Sequence, residues 1–202
     1  MEKVETLKAQ SKIGGEKGFN IKADGTTSSI INGGEHQVDL GSEAGWQGGY
    51  HNHTPTGIKM LSLKLLNYAL AQPNGDFGDA FFGMFGSEEC STCPDGYKYH
   101  NYIIRFNGTS QELEKYLFQT TWDKVALSKD YQKRENSLSN NSAYTDNDGK
   151  SLNQKGLEKL FFDTLKGMNM DGKVNLQRVD NEGIIQNITL DNNNQPTATP
   201  CP

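Results

Sequence analysis

The chain has little of what marks several common classes of protein. Its 202 residues contain only three cysteines, too few for a disulfide-rich scaffold. No apolar run approaches the about 20 residues of a membrane-spanning helix. No block of Lys or Arg marks a nucleic-acid or anionic-membrane surface. With 34% hydrophobic residues, 22 glycines and a net charge of −5, the sequence predicts a domain with a thin core, no membrane span and no nucleic-acid partner.

The N-terminal residues do not resemble a signal peptide. Glu and Lys are frequent among the first eight residues, and no apolar stretch follows them. The sequence is compatible with a segment of a longer exported protein, and it leaves the localisation open.

The cysteines form one close pair and one distant residue. Cys90 and Cys93 have the CxxC spacing, but a four-ligand zinc site needs a second such pair. The turn residues 94–96 follow the pair, where a thioredoxin-like motif would open a helix. These features favour a local crosslink or free thiols in an exposed loop between two strands, over redox chemistry or metal binding. Pairing of Cys201 with one of the two is the remaining alternative.

Hydrophobic periodicity and turn residues predict an α+β fold. Helical spacing predicts helices at residues 1–12, from Ser62, at 109–136 and at Gly156–Lys166. Period-two alternation predicts a hairpin at 18–31, a third strand at His36–Leu40 and a second hairpin over Lys173–Val179 and Ile184–Leu190. Residues 45–53 are Gly-rich and aromatic, and Phe81–Phe85 and Tyr99–Phe106 are interpreted as two further strands joined by the cysteine loop. Helices that interleave with hairpin-connected strands are typical of the α+β class.

A polar stretch at 137–154 is the candidate boundary within the chain. It separates a domain at 1–136 from a helix and hairpin at 155–191, with a polar, Pro-containing tail at 192–202. Because about 45 residues bury too little surface to fold alone, we expect the helix and hairpin to pack on the first domain.

The most informative motif is His51-Asn52-His53. In an extended segment, residues i and i+2 point to the same side, with Cα atoms about 6–7 Å apart, so the two imidazoles can share a metal ion. The alternative interpretation is a pair of half-exposed strand histidines. A polar loop follows, and Ser62 then stands at the head of an amphipathic helix, where its hydroxyl can cap the first turn.

This order of residues resembles the JAMM motif of the JAB/MPN metalloproteases. Glu16, followed by Lys17 and Gly18, matches the family's upstream glutamate, and the resemblance covers roughly residues 1–106. It implies a central mixed sheet with flanking helices and a cytidine-deaminase-like core. It also implies hydrolysis of a peptide or isopeptide bond in a peptide or protein substrate. In the family, the two histidines (here His51 and His53) bind Zn²⁺, the glutamate (Glu16) acts on the zinc-bound water, and the serine (Ser62) stabilises the oxyanion.

The sequence departs from the family pattern at one zinc ligand. Leu65 stands where the motif has Asp, so the motif supplies two protein ligands in place of three. The resemblance therefore predicts weak zinc binding and slow turnover or none, and it predicts tighter binding in Leu65→Asp. Asp76, Asp79 and His36 are the candidates for a replacement ligand. The rival hypotheses are a non-catalytic partner-binding or secreted effector-type module on the same fold, and an unrelated α+β domain.

Overall fold

Eight strands and four helices make up the described part of the chain, which in this computed structural model covers residues 2–55, 80–121, 123–146, 149 and 151–201. The strands are β1 (Lys17–Ile21), β2 (Ile31–Asn32), β3 (Gly48–Asn52), β4 (Phe81–Glu89), β5 (Tyr97–Phe106), β6 (Val174–Val179), β7 (Ile185–Leu190) and β8 (Pro196–Pro200). The helices are α1 (Glu2–Gln10), α2 (Ser110–Gln119), α3 (Lys124–Ser139) and α4 (Gln154–Gly167).

All eight strands belong to one mixed sheet. Their order is β2-β1-β3-β4-β5-β6-β7-β8, and β3 and β4 are parallel whereas the other neighbours are antiparallel. The predicted α+β class with a central mixed sheet and flanking helices is confirmed. The helix and hairpin expected at 155–191 lie within this architecture, because β6 pairs directly with β5 and continues the sheet.

Side-chain caps define where the helices begin. Thr109 and Glu112 form a capping box at α2, so two backbone N–H groups that lack helical partners are satisfied. Asp123 accepts hydrogen bonds from two N–H groups of α3, and Asn153 accepts one from Gly156 in α4. The helical segment expected at 109–136 therefore contains two helices, one that ends at Gln119 and one that begins at Lys124.

The two faces of the sheet are covered unequally. One face carries α1 and a small cluster of Leu7, Phe19, Tyr50 and Phe85. The other face carries α2, α3 and α4 over the main core, whose members include Phe82, Met84, Tyr102, Ile104, Leu113, Leu160 and Leu176. Because side chains alternate along a strand, the odd residues of β4 face α1 and the even residues face the main core. Among the described residues, no helix is both long enough and apolar enough to cross a membrane.

The prediction of a strand at His36–Leu40 is wrong, because these residues form a loop. The Gly34 N–H donates to the Gln37 carbonyl oxygen at 2.8 Å and closes a tight turn. The Leu40 carbonyl accepts from the Asn20 side-chain amide at 2.8 Å. The alternation in the sequence arises because Val38 and Leu40 pack on the main core from this loop.

The segment 192–202, which the sequence predicts to be a polar tail, instead contains β8 at the edge of the sheet. The Cys201 N–H donates to the Ile185 carbonyl oxygen at 2.9 Å, so odd residues of β8 direct their N–H groups toward β7. Pro196 and Pro200 then direct their nitrogens away from β7, where no ladder hydrogen bond is lost. This placement explains why a Pro-containing segment can form a strand here.

The CxxC pair lies in the turn between β4 and β5, as the sequence predicts. Cys90 and Cys93 form a disulfide within the turn, and Cys201 is a free thiol. Phe85 is the β4 residue that pairs with Asn52 at the end of β3. Cys90 lies five residues further along the chain, which is roughly 17 Å in an extended strand. The disulfide is therefore remote from the histidine motif.

Candidate metal centre

Strand β3 brings the two motif histidines to the face of the sheet that carries the main core. His51 lies within β3 and His53 follows it, where its N–H donates to the Phe85 carbonyl oxygen of β4 at 2.8 Å. The two residues are only 4% and 8% exposed. They are therefore buried side chains, unlike the half-exposed strand histidines of the alternative interpretation.

The two imidazoles contact each other through their Nε2 atoms. These atoms lie 2.7 Å apart, which is a hydrogen-bond distance, so one nitrogen donates and the other accepts. The Nδ1 atom of His51 lies 3.1 Å from the Gly83 carbonyl oxygen, which can only accept. Neutral His51 therefore carries its proton on Nδ1 and presents the Nε2 lone pair, and His53 donates from Nε2.

Two glycines and an aromatic ring set the position of His51. Its ring stacks on Phe82 with centroids 4.8 Å apart. Gly18 pairs with His51 across β1 and β3, and a Cβ atom there would lie 2.7 Å from Leu40 and 3.1 Å from the His51 Cβ. Glycine at position 18 therefore provides the room in which His51 packs. Gly83 supplies the carbonyl that fixes the tautomer, an arrangement typical of metal-binding histidines.

Glu16 lies directly before β1, and two residues later Gly18 pairs with His51 across β1 and β3. Glu16 is 8% exposed, and burial raises the pKa of its carboxyl from the ordinary 4.5 to about 7. A carboxyl with this pKa can both accept and return a proton near neutral pH.

The Asn52 side chain ties the end of β3 to the chain at the start of β1. Its Oδ1 accepts from the Lys17 N–H at 2.8 Å, and its Nδ2 donates to the Gly15 carbonyl oxygen at 3.1 Å. A side-chain amide, and not the backbone of β3, therefore provides the partner of the Lys17 N–H.

A tight turn brings a third histidine to the same end of the sheet. The Glu16 N–H donates to the Gly34 carbonyl oxygen at 2.8 Å, and the Gly33 N–H donates to the Glu16 carbonyl oxygen at 2.7 Å. His36 lies at the tip of the turn that follows, with Nδ1 3.3 Å from the hydroxyl of Thr54, the residue after His53. The fourth histidine, His100, is buried in β5 beside Glu88.

The two buried imidazoles suit zinc in type and orientation, but they are not a complete site. Two nitrogens bound to one tetrahedral zinc at about 2.0–2.1 Å lie roughly 3.4 Å apart, so the pair must open slightly. The described residues contain no group of three His, Cys, Asp or Glu side chains arranged to hold a metal. The other sequence candidates, Ser62, Leu65, Asp76 and Asp79, lie outside the described residues.

Sequence reasoning missed the groups that support the histidines. The Gly83 carbonyl and the Phe82 ring come from a strand 30 residues later, and only the parallel β3–β4 register brings them to His51. The structural role of Asn52 was also missed, although its position between two site histidines was a signal. No protein-family model, curated protein or solved structure matches this chain.

Proposed function

We propose that this chain is a zinc-dependent hydrolase of the JAB/MPN type that cleaves a peptide or isopeptide bond. The observation that carries the proposal is the buried His51–His53 pair, oriented by the Gly83 carbonyl, with Glu16 as a buried carboxyl two residues before the Gly18–His51 pairing. The order of these residues along the chain is that of the JAMM motif, and the sheet is mixed, with flanking helices, as the resemblance implies.

Each site residue has a separate role in the proposed reaction. His51 and His53 would hold the metal, with His51 already in the tautomer that ligation through Nε2 requires. Zinc, when bound, supplies a Lewis acid and makes water acidic near neutral pH. Glu16 accepts a proton and returns it to the leaving amine, for which its raised pKa is suitable. Ser62 takes the oxyanion-stabilising role by its position in the motif.

A second candidate function is a non-catalytic binding module on the same fold. Leu65 at the position of the third zinc ligand favours it, as does the lack of a three-residue metal group among the described residues. In that case the chain would bind a peptide or protein partner without hydrolysing it.

Zinc analysis and a peptidase assay together separate these functions. We expect the parent chain to bind one zinc ion weakly, because Leu65 stands at the position of the third ligand, and His51→Ala to bind none, measured by elemental analysis of protein equilibrated with Zn²⁺. We expect Glu16→Gln to keep its zinc and to lose cleavage of a peptide and isopeptide substrate panel. Cys90→Ser/Cys93→Ser is the matched control, and it should keep both properties because the disulfide is remote. Zinc binding without cleavage by the parent would favour the binding module, and equal zinc content in the parent and His51→Ala would refute the metal site.

A further inference from the structure

We propose that a groove on the α1 face of the sheet binds a basic segment of a partner protein, in which Lys or Arg stands beside apolar residues. The groove has a volume of about 460 Å³ and lies between α1 and the hairpin of β6 and β7. It is separate from the proposed zinc site. Tyr50, which lines the groove, and His51 are consecutive in β3, so their side chains point to opposite faces of the sheet.

The floor of the groove is apolar and aromatic. It is formed by Phe85 of β4, Tyr99 and Ile103 of β5 and Val179 of β6. The rings of Phe85 and Tyr99 lie with their centroids 5.7 Å apart. Because α1 packs on β1, β3 and β4, this floor continues beyond the helix to Val179 and to Ile185, its partner in β7, which is 38% exposed. A concave and largely apolar surface with a few polar groups at its edge is typical of a binding site.

Carboxylates stand on both sides of this floor. Glu5 belongs to α1, whereas Asp180 and Glu182 belong to the turn between β6 and β7. Oδ1 of Asp180 accepts from the N–H groups of Glu182 at 3.0 Å and Ile184 at 2.8 Å, which fixes the turn that carries Glu182. In the described part of the chain, neither Glu5 nor Glu182 forms an ion pair. The charge of this rim is therefore complementary to a basic ligand.

Lys8 shows how the groove accommodates a cationic side chain. Its Nζ lies 4.4 Å from the centroid of the Tyr99 ring, which is a cation–π contact. A Lys or Arg side chain has an apolar stem and a charged head, so it can cover an aromatic floor while its head approaches the rim carboxylates. Lys8 takes one such position from within the chain, and it therefore competes with an incoming basic residue for the Tyr99 ring.

Fluorescence anisotropy of a labelled peptide in which Leu and Lys alternate tests the inference. The protein is kept in a chelator, so that no metal takes part. Two peptides of the same length, one of Leu and Glu and one of Ser and Lys, test whether both the charge and the apolar side chains are needed. We expect both to bind at least about tenfold more weakly than the Leu–Lys peptide. No binding of the Leu–Lys peptide, or equal binding of all three, overturns the inference.

Substitution of the rim carboxylates tests whether the peptide lies in the groove. Glu5→Gln/Glu182→Gln should weaken binding by about three- to tenfold, because two exposed ion pairs are lost. Glu35→Gln/Glu114→Gln is the matched control, since it removes two exposed carboxylates that do not line the groove. This control should stay within about twofold of the parent. Equal losses in the two double variants would show a general attraction to an acidic chain and would overturn the inference.

Substitution of Lys8 has the opposite expected effect. Lys8→Met should strengthen binding by at least about threefold, because it removes a like charge and frees the face of the Tyr99 ring. Lys115→Met, at an exposed position of α2, makes the same change of charge and should stay within about twofold of the parent. Equal gains in the two variants, or no gain in Lys8→Met, contradict the proposal.

NMR of the parent chain gives a readout that does not depend on any variant. The Leu–Lys peptide should shift the ring resonances of Phe85 and Tyr99, because both rings line the groove. Ring resonances that do not respond to saturating peptide place the peptide elsewhere and overturn the inference. All these measurements are made without metal, so their failure leaves the proposed zinc site standing, and failure of the zinc site leaves the groove standing.

Discussion

His51 and His53 share a hydrogen bond between their Nε2 atoms at 2.7 Å, and the Gly83 carbonyl decides which of the two donates. The two nitrogens are thus closer than they would be when bound to one zinc ion, by roughly 0.7 Å. A neutral His53 that donates from Nε2 must also move that proton to Nδ1, or lose it, before it can bind zinc through Nε2. Metal binding and a change of tautomer are therefore coupled at His53.

This coupling predicts distinct responses of the two histidines. Without metal, we expect His51 to be protonated at Nδ1 and His53 at Nε2, because the Gly83 carbonyl can only accept. Zinc should leave the protonation of His51 unchanged and remove the proton from Nε2 of His53. Long-range ¹H–¹⁵N spectra of the imidazoles measure both tautomers. Protonation of metal-free His51 at Nε2 would contradict the assignment.

The resemblance to the JAMM motif predicts a gain of zinc affinity in Leu65→Asp. A carboxylate at this position adds the ligand that the family uses, and near the start of the helix that the sequence predicts from Ser62 it would be stabilised by about 0.3–1 kcal/mol. We expect at least about tenfold tighter binding. Leu66→Asp is the matched control, since it adds the same charge one position away. Calorimetry that shows equal gains in the two variants would place the family assignment in doubt.

Glu16 predicts a pH-dependent difference in stability. The folded chain retains the Glu16 proton up to about pH 7, whereas the unfolded chain loses it near pH 4.5, so the parent loses stability as the pH rises between these values. The Glu16→Gln variant has no carboxyl at this position, so its stability does not fall in this way as the pH rises. We expect equal stabilities at pH 4, and at pH 8 an advantage for the variant of at most about 3 kcal/mol in the free energy of unfolding. Urea unfolding in a chelator measures the difference, and a constant offset at all pH values would refute the raised pKa.

The ion pair that joins α4 to β6 predicts a large loss of stability when one partner is removed. Arg178 lies 2.6 Å from Glu158, whose side chain is 4% exposed, and burial raises the pKa of Glu158 against the opposing effect of Arg178. Arg178→Met should cost about 3–5 kcal/mol in the free energy of unfolding, because a buried carboxylate loses its counter-charge.

The double variant Arg178→Met/Glu158→Gln provides the control for this loss. Glutamine removes the charge and still accepts from the Tyr102 hydroxyl, which donates to Glu158 at 3.3 Å. We expect the double variant to recover most of the loss in a urea double-mutant cycle. Additive effects of the two substitutions would show that the charges do not interact.

The parts of the fold that the sequence predicted are those that local periodicity determines. β1, β5, β6 and β7 largely alternate apolar and polar residues, β4 is a short apolar and Gly-rich run, and turn residues bound them, so each was recognised. The loop at 36–40 shows the same alternation, but its carbonyl groups accept hydrogen bonds from Asn20 and Gly34 in place of a neighbouring strand. Alternation reports which side chains are buried, and it does not report where the backbone groups find partners.

The candidate site was predictable only as far as spacing along the chain extends. His51, His53 and Glu16 follow from a motif. The Gly83 carbonyl and the contact of His36 with Thr54 depend on strand pairing and on a turn that no local pattern encodes. The physical reason is that these contacts join residues 18–32 positions apart, and only the folded sheet sets their distances.

The prolines of β8 have a consequence for how the molecule behaves at high concentration. With Pro196 and Pro200 directing their nitrogens outward, the free side of this strand lacks amide donors at both ends. A second chain that approached along β8 would find a donor only at Ala198, between the two prolines. Fibrillar growth by strand addition is therefore disfavoured at this margin of the molecule.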